Sequence, residues 1–225
     1  MRKYNVEQDG CEFMRSRPTY CCKRATQPPP LDGTVSGTIW ADTESMGSAF
    51  HLIGGTGRSA HFLETAALWD DDAFYVSYVS DPSPVPVTKK DRDDDLFNEC
   101  AVEIFLRADN GYYEIEVNPL AVVLDLYFPN VEEEDWREMA KYDVPGLQWT
   151  VKSMDDRGRW CTQMAIPWAG VPEVSRAEYE GNPCVFGNFA RSQTLPGGSY
   201  DLTTWSPAEK AFCELDKMGC IILSS

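Results

Sequence analysis

The sequence lacks a long apolar run. No window approaches the length that a helix needs to cross a bilayer, and the basic start Met1-Arg2-Lys3 is not followed by the apolar stretch of a secretory leader. The expectation is a cytoplasmic protein, or a secreted one if a leader is missing from this sequence. Basic residues are outnumbered, 20 Lys and Arg against 36 Asp and Glu, for a net charge of −16. Nucleic acid and anionic membranes both need a basic footprint, so neither is an expected partner. Histidine is scarce. His51 and His61 are the two, and no G-x-S-x-G signature accompanies them, which argues against a nucleophilic triad. Eight cysteines are present, yet none forms a C-x-x-C pair, which argues against zinc. Helical periodicity is nearly missing; Glu132–Tyr142 is the one segment that reads as helix.

What is present is a substantial core fraction, 43% apolar and 12% aromatic, arranged in short strand-like runs. The most informative stretch is Phe97–Phe128. Ala101–Arg107, Tyr112–Asn118 and Val122–Phe128 read as three successive strands, with Asn110-Gly111 as the central residues of a tight hairpin turn. That turn predicts Arg107 facing Glu114, Phe105 facing Glu116 and Glu103 facing Asn118. Leu106 then meets Ile115, and Ile104 meets Val117, on the apolar side. The other side mixes carboxylates, an amide, a guanidinium and an aromatic ring. Sugars bind such surfaces, because hydroxyls need directional partners and ring C–H faces need an aromatic plate. On the hairpin alone, a solvated face with cross-strand charge pairs is the better reading.

Along the chain, residues 1–30 read as an arm that ends in Pro28-Pro29-Pro30, an extended, non-helical segment. Cys11, Cys21 and Cys22 lie in it, where a bridge is open; Cys161, Cys184 and Cys220 read as small core residues. Glu64–Trp69 and Ala73–Ser80 form a hairpin around Asp70-Asp71-Asp72. Gln148–Ser153 and Arg159–Ile166 form another, and Cys184–Arg191, Leu202–Trp205 and Gly219–Leu223 are further strands. About nine short strands and little helix predict an all-β fold. The expected architecture is an antiparallel, jelly-roll-like β-sandwich over residues 31–225 as one domain.

Several segments together are similar to a known family. Leu31-Asp32-Gly33 with Trp40 opens the set, followed by Ala67-Leu68-Trp69-Asp70-Asp71, Val102-Glu103-Ile104-Phe105 and Tyr112-Tyr113-Glu114 with Val117-Asn118-Pro119. Ala165-Ile166-Pro167-Trp168, Gly187-Asn188-Phe189-Ala190-Arg191, Thr204-Trp205-Ser206-Pro207 and Met218-Gly219 complete it. In that order and spacing, over roughly residues 30–223, the chain resembles the family 9 carbohydrate-binding modules and their stand-alone relatives (the DOMON-type sandwich). The resemblance implies a two-sheet sandwich that binds a sugar or oligosaccharide without catalysis. It also implies two aromatic plates, at Phe97 and Phe212, where the best-known binders carry tryptophan; phenylalanine offers less area and implies weaker binding. Glu103 matches a hydroxyl-binding glutamate. Glu116 stands where those binders have arginine, which reverses the charge beside the ligand. Asn118, Arg191 and Trp205 are implied floor residues, Trp205 equally a core residue.

The same resemblance implies structural calcium, for which Asp70–Asp72 and Asp91–Asp95 supply oxygens, although neither run has EF-hand spacing. Haem ligation by His51 or His61 with methionine finds no support in their spacing. Two alternatives stay open. One is a glycan-active hydrolase that uses Glu103 with Glu114 or Glu116, since such chemistry needs two carboxyl groups; an Arg107 facing Glu114 would lower the pKa that a general acid needs raised. The other is a structural or interaction domain that has lost sugar binding and works through a protein partner.

Overall fold

The computed structural model describes residues 17–47, 50–54, 57–132 and 135–225. Among these residues, thirteen strands form one hydrogen-bonded sheet in the order β7-β6-β5-β11-β13-β1-β3-β4-β9-β8, with β10 and β12 on β11 and β2 on β12. The strands are β1 (Thr19–Arg24), β2 (His51–Leu52), β3 (Leu63–Trp69), β4 (Ala73–Ser80), β5 (Cys100–Arg107), β6 (Tyr112–Val117) and β7 (Val123–Phe128). They continue with β8 (Gln148–Ser153), β9 (Trp160–Pro167), β10 (Arg176–Tyr179), β11 (Asn182–Thr194), β12 (Tyr200–Thr204) and β13 (Gly219–Ser224). The sheet curls over on itself, so that β7-β6-β5-β11-β13 faces β1-β3-β4-β9-β8 across one apolar core.

Period-2 alternation explains this core. Val102, Ile104 and Leu106 of β5 and Tyr113, Ile115 and Val117 of β6 point inward. They meet Ala67, Phe74, Val76, Tyr78, Met164 and Ile166 from the opposing layer. Phe189 stands at the centre, 5.5 Å from the Trp205 ring, 6.4 Å from Tyr78 and 6.5 Å from both Phe74 and Tyr20. Trp205 is therefore a core residue, and Gly219 is small because a side chain there would run into the Trp205 ring, 2.3 Å from an added Cβ. Cys161, Cys184 and Cys220 are fully buried free thiols, as expected; Cys11 lies outside the described residues.

Three features depart from the reading of the sequence. Thr19–Arg24, within the N-terminal thirty residues set apart as an arm, is strand β1. It pairs in parallel with both β13 and β3, so the sheet is not antiparallel throughout. Helix is shorter than expected: α1 is a single turn, Trp136–Met139. Finally, the β5–β6 hairpin is offset by two residues, with Phe105 opposite Glu114, Glu103 opposite Glu116 and Arg107 opposite Tyr112. Ala108 N donates to Gly111 O at 2.9 Å, which puts Asp109 and Asn110 at the tip. A two-residue offset keeps every side chain on its face, so the apolar side was assigned correctly from the wrong partners. Gly111 has another reason to be glycine: an added Cβ would sit 1.7 Å from Phe128 O.

Candidate functional site

The outer face of β5, β6 and β7 carries Glu103 and Phe105, Glu114 and Glu116, and Leu124 and Leu126. It is not solvated. Leu96, in the 3-10 turn Leu96–Asn98, is fully buried against it, and Phe97 from the same turn packs on its apolar cluster. Trp136 of α1 stands edge-on to Phe97, with centroids 5.4 Å apart and planes at 89°. From the C-terminal side comes the loop carrying Phe212, whose ring lies 5.9 Å from Phe105. Asn188 anchors that loop, donating to Phe212 O at 2.9 Å and accepting from Ser206 N at 3.0 Å. Phe97 and Phe212 remain partly exposed at the rim.

Beneath this rim the three carboxylates gather. One oxygen from each of Glu103, Glu114 and Glu116 lies within 4.8 Å of the others. Glu103 is 1% and Glu116 0% exposed, and Glu114 alone is partly open. Burial among leucines and aromatic rings disfavours the charged forms. It pushes Glu103 up to about 8, with the Glu114 charge adding to the effect. It takes Glu114 to about 7. Glu116, buried and beside both others, is raised well above the ordinary carboxylate range. Arg107 does not oppose this. It faces Tyr112 rather than Glu114, lies over the Phe186 ring and reaches Leu215 O at 3.4 Å. The expected lowering of the Glu114 pKa by that arginine is thus corrected to a rise.

The remaining residues proposed for the site are not brought to it. Arg191 pairs with Val102 and shares its inward direction; its guanidinium donates across the core to Asp81 O at 2.9 Å and Phe62 O at 3.5 Å. It ties the two layers together. Asn118 is fully buried and its amide organises the β6–β7 turn, accepting from Leu120 N and Val122 N and donating to Lys89 O. Sequence reasoning held Glu114 only as a hydrolase partner and passed over Asn188 and Trp136. The spacing of Glu114 and Glu116, two apart on one strand, was the available signal for the first.

The two aspartate runs behave differently from calcium loops. Asp70 accepts from Asp72 N, Ala73 N and Tyr75 Oη at 2.8–2.9 Å, a capped turn, while Asp71 pairs with Arg24. Asp94 caps Lys90 N and Asp91 N, and Asp95 pairs with Lys89. Asp93 joins Asp125 and Asp143, where Arg92 already bridges the last two. The cationic place there is filled by a guanidinium, so these residues do not fit calcium. Two shallow surface hollows, about 360 and 590 Å³, lie along Arg24–Pro30 at the second layer. Neither has an aromatic lining, so they make poor sugar sites. No helix among the described residues is long and apolar enough to cross a membrane.

Comparison with known proteins rests on shape. A family 9 carbohydrate-binding module from Caldicellulosiruptor kristjanssonii, solved with cellotriose, superposes with a TM-score of 0.64 at 15% identity, covering 92% of this chain and 94% of that one. The same organism's module with glucose gives 0.63 at 15% identity, over 92% and 96%. The fold is that of the family 9 carbohydrate-binding modules. A Bacteroides uniformis protein, provisionally described as carbohydrate-binding, superposes with a TM-score of 0.69 at 14% identity over 92% of this chain and all of its own. No protein-family model matches the sequence, and no curated protein matches it.

Proposed function

We propose that this protein binds carbohydrate without catalysis, at the outer face of β5–β6–β7. Phe97 and Phe212 would act as plates, with the partly exposed Glu114 carboxyl below them and Glu103 and Glu116 buried behind it. The observation that carries this reading is the placement of two partly exposed phenylalanines over a carboxyl cluster on one sheet face, within a fold whose solved examples include complexes with cellotriose and glucose. Aromatic rims with a few convergent polar groups are the usual chemistry of sugar pockets. Burial favours binding over hydrolysis. A glycosidic bond needs its two carboxyl groups flanking it with room for water, whereas Glu103 and Glu116 are 1% and 0% exposed.

One observation favours the competing reading of an interaction domain that no longer binds sugar: Trp136 closes edge-on against Phe97. A thermal-shift screen against glucose, cellotriose and a wider panel of mono- and oligosaccharides separates the two. A ligand that binds only the folded state raises the melting temperature. The expected result is a shift with one sugar class, reduced at least tenfold in apparent affinity by Phe97→Leu and Phe212→Leu. Leucine keeps most of the buried apolar area, so each variant should melt within about 2–4 °C of the parent, about 1 kcal/mol in a chain of this size. Silence across the panel, or a sugar shift indifferent to both substitutions, would sink the proposal.

A further inference from the structure

The outer face of β11, β13 and β1 gathers three free thiols, those of Cys184, Cys220 and Cys21. Cys184 lies opposite Ile222, and Ile222 lies opposite Cys21, so these three residues form one row across the strands. Cys220, two residues before Ile222, shares its face and is a diagonal neighbour of both other cysteines. Tyr20 and Cys22 point into the core, which turns Cys21 outward. The three differ in exposure: Cys184 and Cys220 are fully buried, whereas Cys21 is open to solvent. Within the buried pair the Cys220 thiol donates to Cys184. That bond holds the Cys184 pKa below its ordinary value against the effect of burial, and it raises Cys220. Cys220 also feels the charge of Cys21 and of the Arg17 guanidinium, which is anchored on Asp216 O and Met218 O. A buried cysteine is commonly just a small core residue. Two thiols in contact, with a cation and an exposed third thiol beside them, are instead the setting of redox-active cysteines.

We propose that these cysteines form a thiol relay, in which exposed Cys21 passes oxidation by hydrogen peroxide inward to a Cys184–Cys220 disulfide. Peroxide oxidises the Cys21 thiol to a sulfenic acid and is itself reduced to one water. The Cys220 sulfur then attacks the Cys21 sulfur. The S–O bond breaks, a Cys21–Cys220 disulfide forms, and a second water leaves with the Cys220 proton. Finally the Cys184 sulfur attacks Cys220 and displaces Cys21, which takes up the proton that Cys184 gives away. Two thiols and one peroxide thus yield one disulfide and two waters, and Cys21 is regenerated. The direction follows from the pair, because Cys184, whose thiolate the Cys220 S–H stabilises, makes the last attack. The diagonal placement of Cys184 and Cys220 requires the start of β13 to shift before an S–S bond of about 2.05 Å can close. A bond closed against such resistance is readily reduced again, so the device is reversible.

This inference does not depend on sugar binding and is tested without any sugar. The intact chain, fully reduced, is treated with hydrogen peroxide, quenched in acid, unfolded and alkylated with N-ethylmaleimide. Peptide mass spectrometry without reduction then locates each bond. We expect a Cys184–Cys220 disulfide with Cys21 recovered as a thiol, and full reversal by dithiothreitol. Cys21→Ser, a change at an exposed position that leaves the fold intact, should slow formation of that disulfide by about tenfold or more. Cys184→Ser should stop the relay one step early, as a Cys21–Cys220 disulfide. Cys161→Ser, which removes a buried thiol 3.8 Å from Ser77 Oγ in the opposite layer, should change neither result. The proposal fails if Cys184 and Cys220 are still alkylated after peroxide, if their disulfide forms as fast in Cys21→Ser, or if Cys21 pairs only with a second chain.

Discussion

The protein should lose stability steeply as the pH is raised from 5 to 8. Glu103, Glu114 and Glu116 have folded-state pKa values above their unfolded ones, so within this window the native state holds protons that the unfolded chain releases. Stability therefore falls with rising pH, at about 1.4 kcal/mol per unit for each such proton. For Glu103 alone, buried to 1% exposure and titrating at about 8 rather than 4.5, the full effect is on the order of 3–5 kcal/mol. That corresponds to about 10 °C or more in melting temperature for a chain of this length. Asp125, raised by burial to about 6, adds in the same direction at the acid end. Carboxylates held low, such as Asp81 and Glu214, lose their contribution only below the window and do not mask the trend. Glu116→Gln should raise the melting temperature at pH 8 and flatten the profile. A profile of unchanged slope in that variant would place the titration outside this cluster.

Gly111→Ala is expected to be the most damaging glycine-to-alanine change among the described residues. Its Cβ would stand 1.7 Å from Phe128 O and 2.8 Å from Phe128 C and Pro129 C. Those are backbone atoms, so relief requires the β5–β6 hairpin tip to part from the end of β7. Overpacking of ordinary cores costs about 1–3 kcal/mol; a backbone collision at this distance should reach or exceed the upper figure, lowering the melting temperature by about 6–12 °C. Denaturant unfolding of the variant measures this directly. A loss below about 1 kcal/mol would mean that the hairpin tip yields to the added methyl.

The same glycine shows how far local signals carried. Asn110-Gly111 announces a hairpin, and the period-2 pattern assigned the two faces of β5 and β6. The register missed by two because Gly111 answers to Phe128, a residue of another strand, rather than to the turn. The fold class followed from short alternating runs for the same local reason. Arg191 was misplaced because its face depends on the pairing of β11 with β5; once that pairing is known, its parity with Phe189 sends it inward. The carboxyl cluster was half legible. Three glutamates on one sheet face are visible in the sequence, but their burial comes from Leu96, Trp136 and the Phe212 loop, which arrive from distant parts of the chain. Strand β1 was hidden for that reason too, since both of its partners are remote.

That remoteness sets a timetable. β1 has two residue pairings with β3, Lys23 with Leu68 and Arg24 with Trp69, and five with β13, from Thr19–Cys220 to Lys23–Ser224. During synthesis, β3–β4 and β5–β6–β7 emerge as neighbouring hairpins and can close on their own, whereas β1, made first, waits for a strand about 200 residues behind it. Loops of that length close slowly and only after local structure has formed. The seam between the layers should therefore be the last part of the sheet to shut. Until then β1 is an open edge of the kind that holdase chaperones shield. In pulse-labelled refolding, the amides of β1 should gain protection after those of the β3–β4 and β5–β6 hairpins; early protection there would mean that the far strand docks ahead of its neighbours.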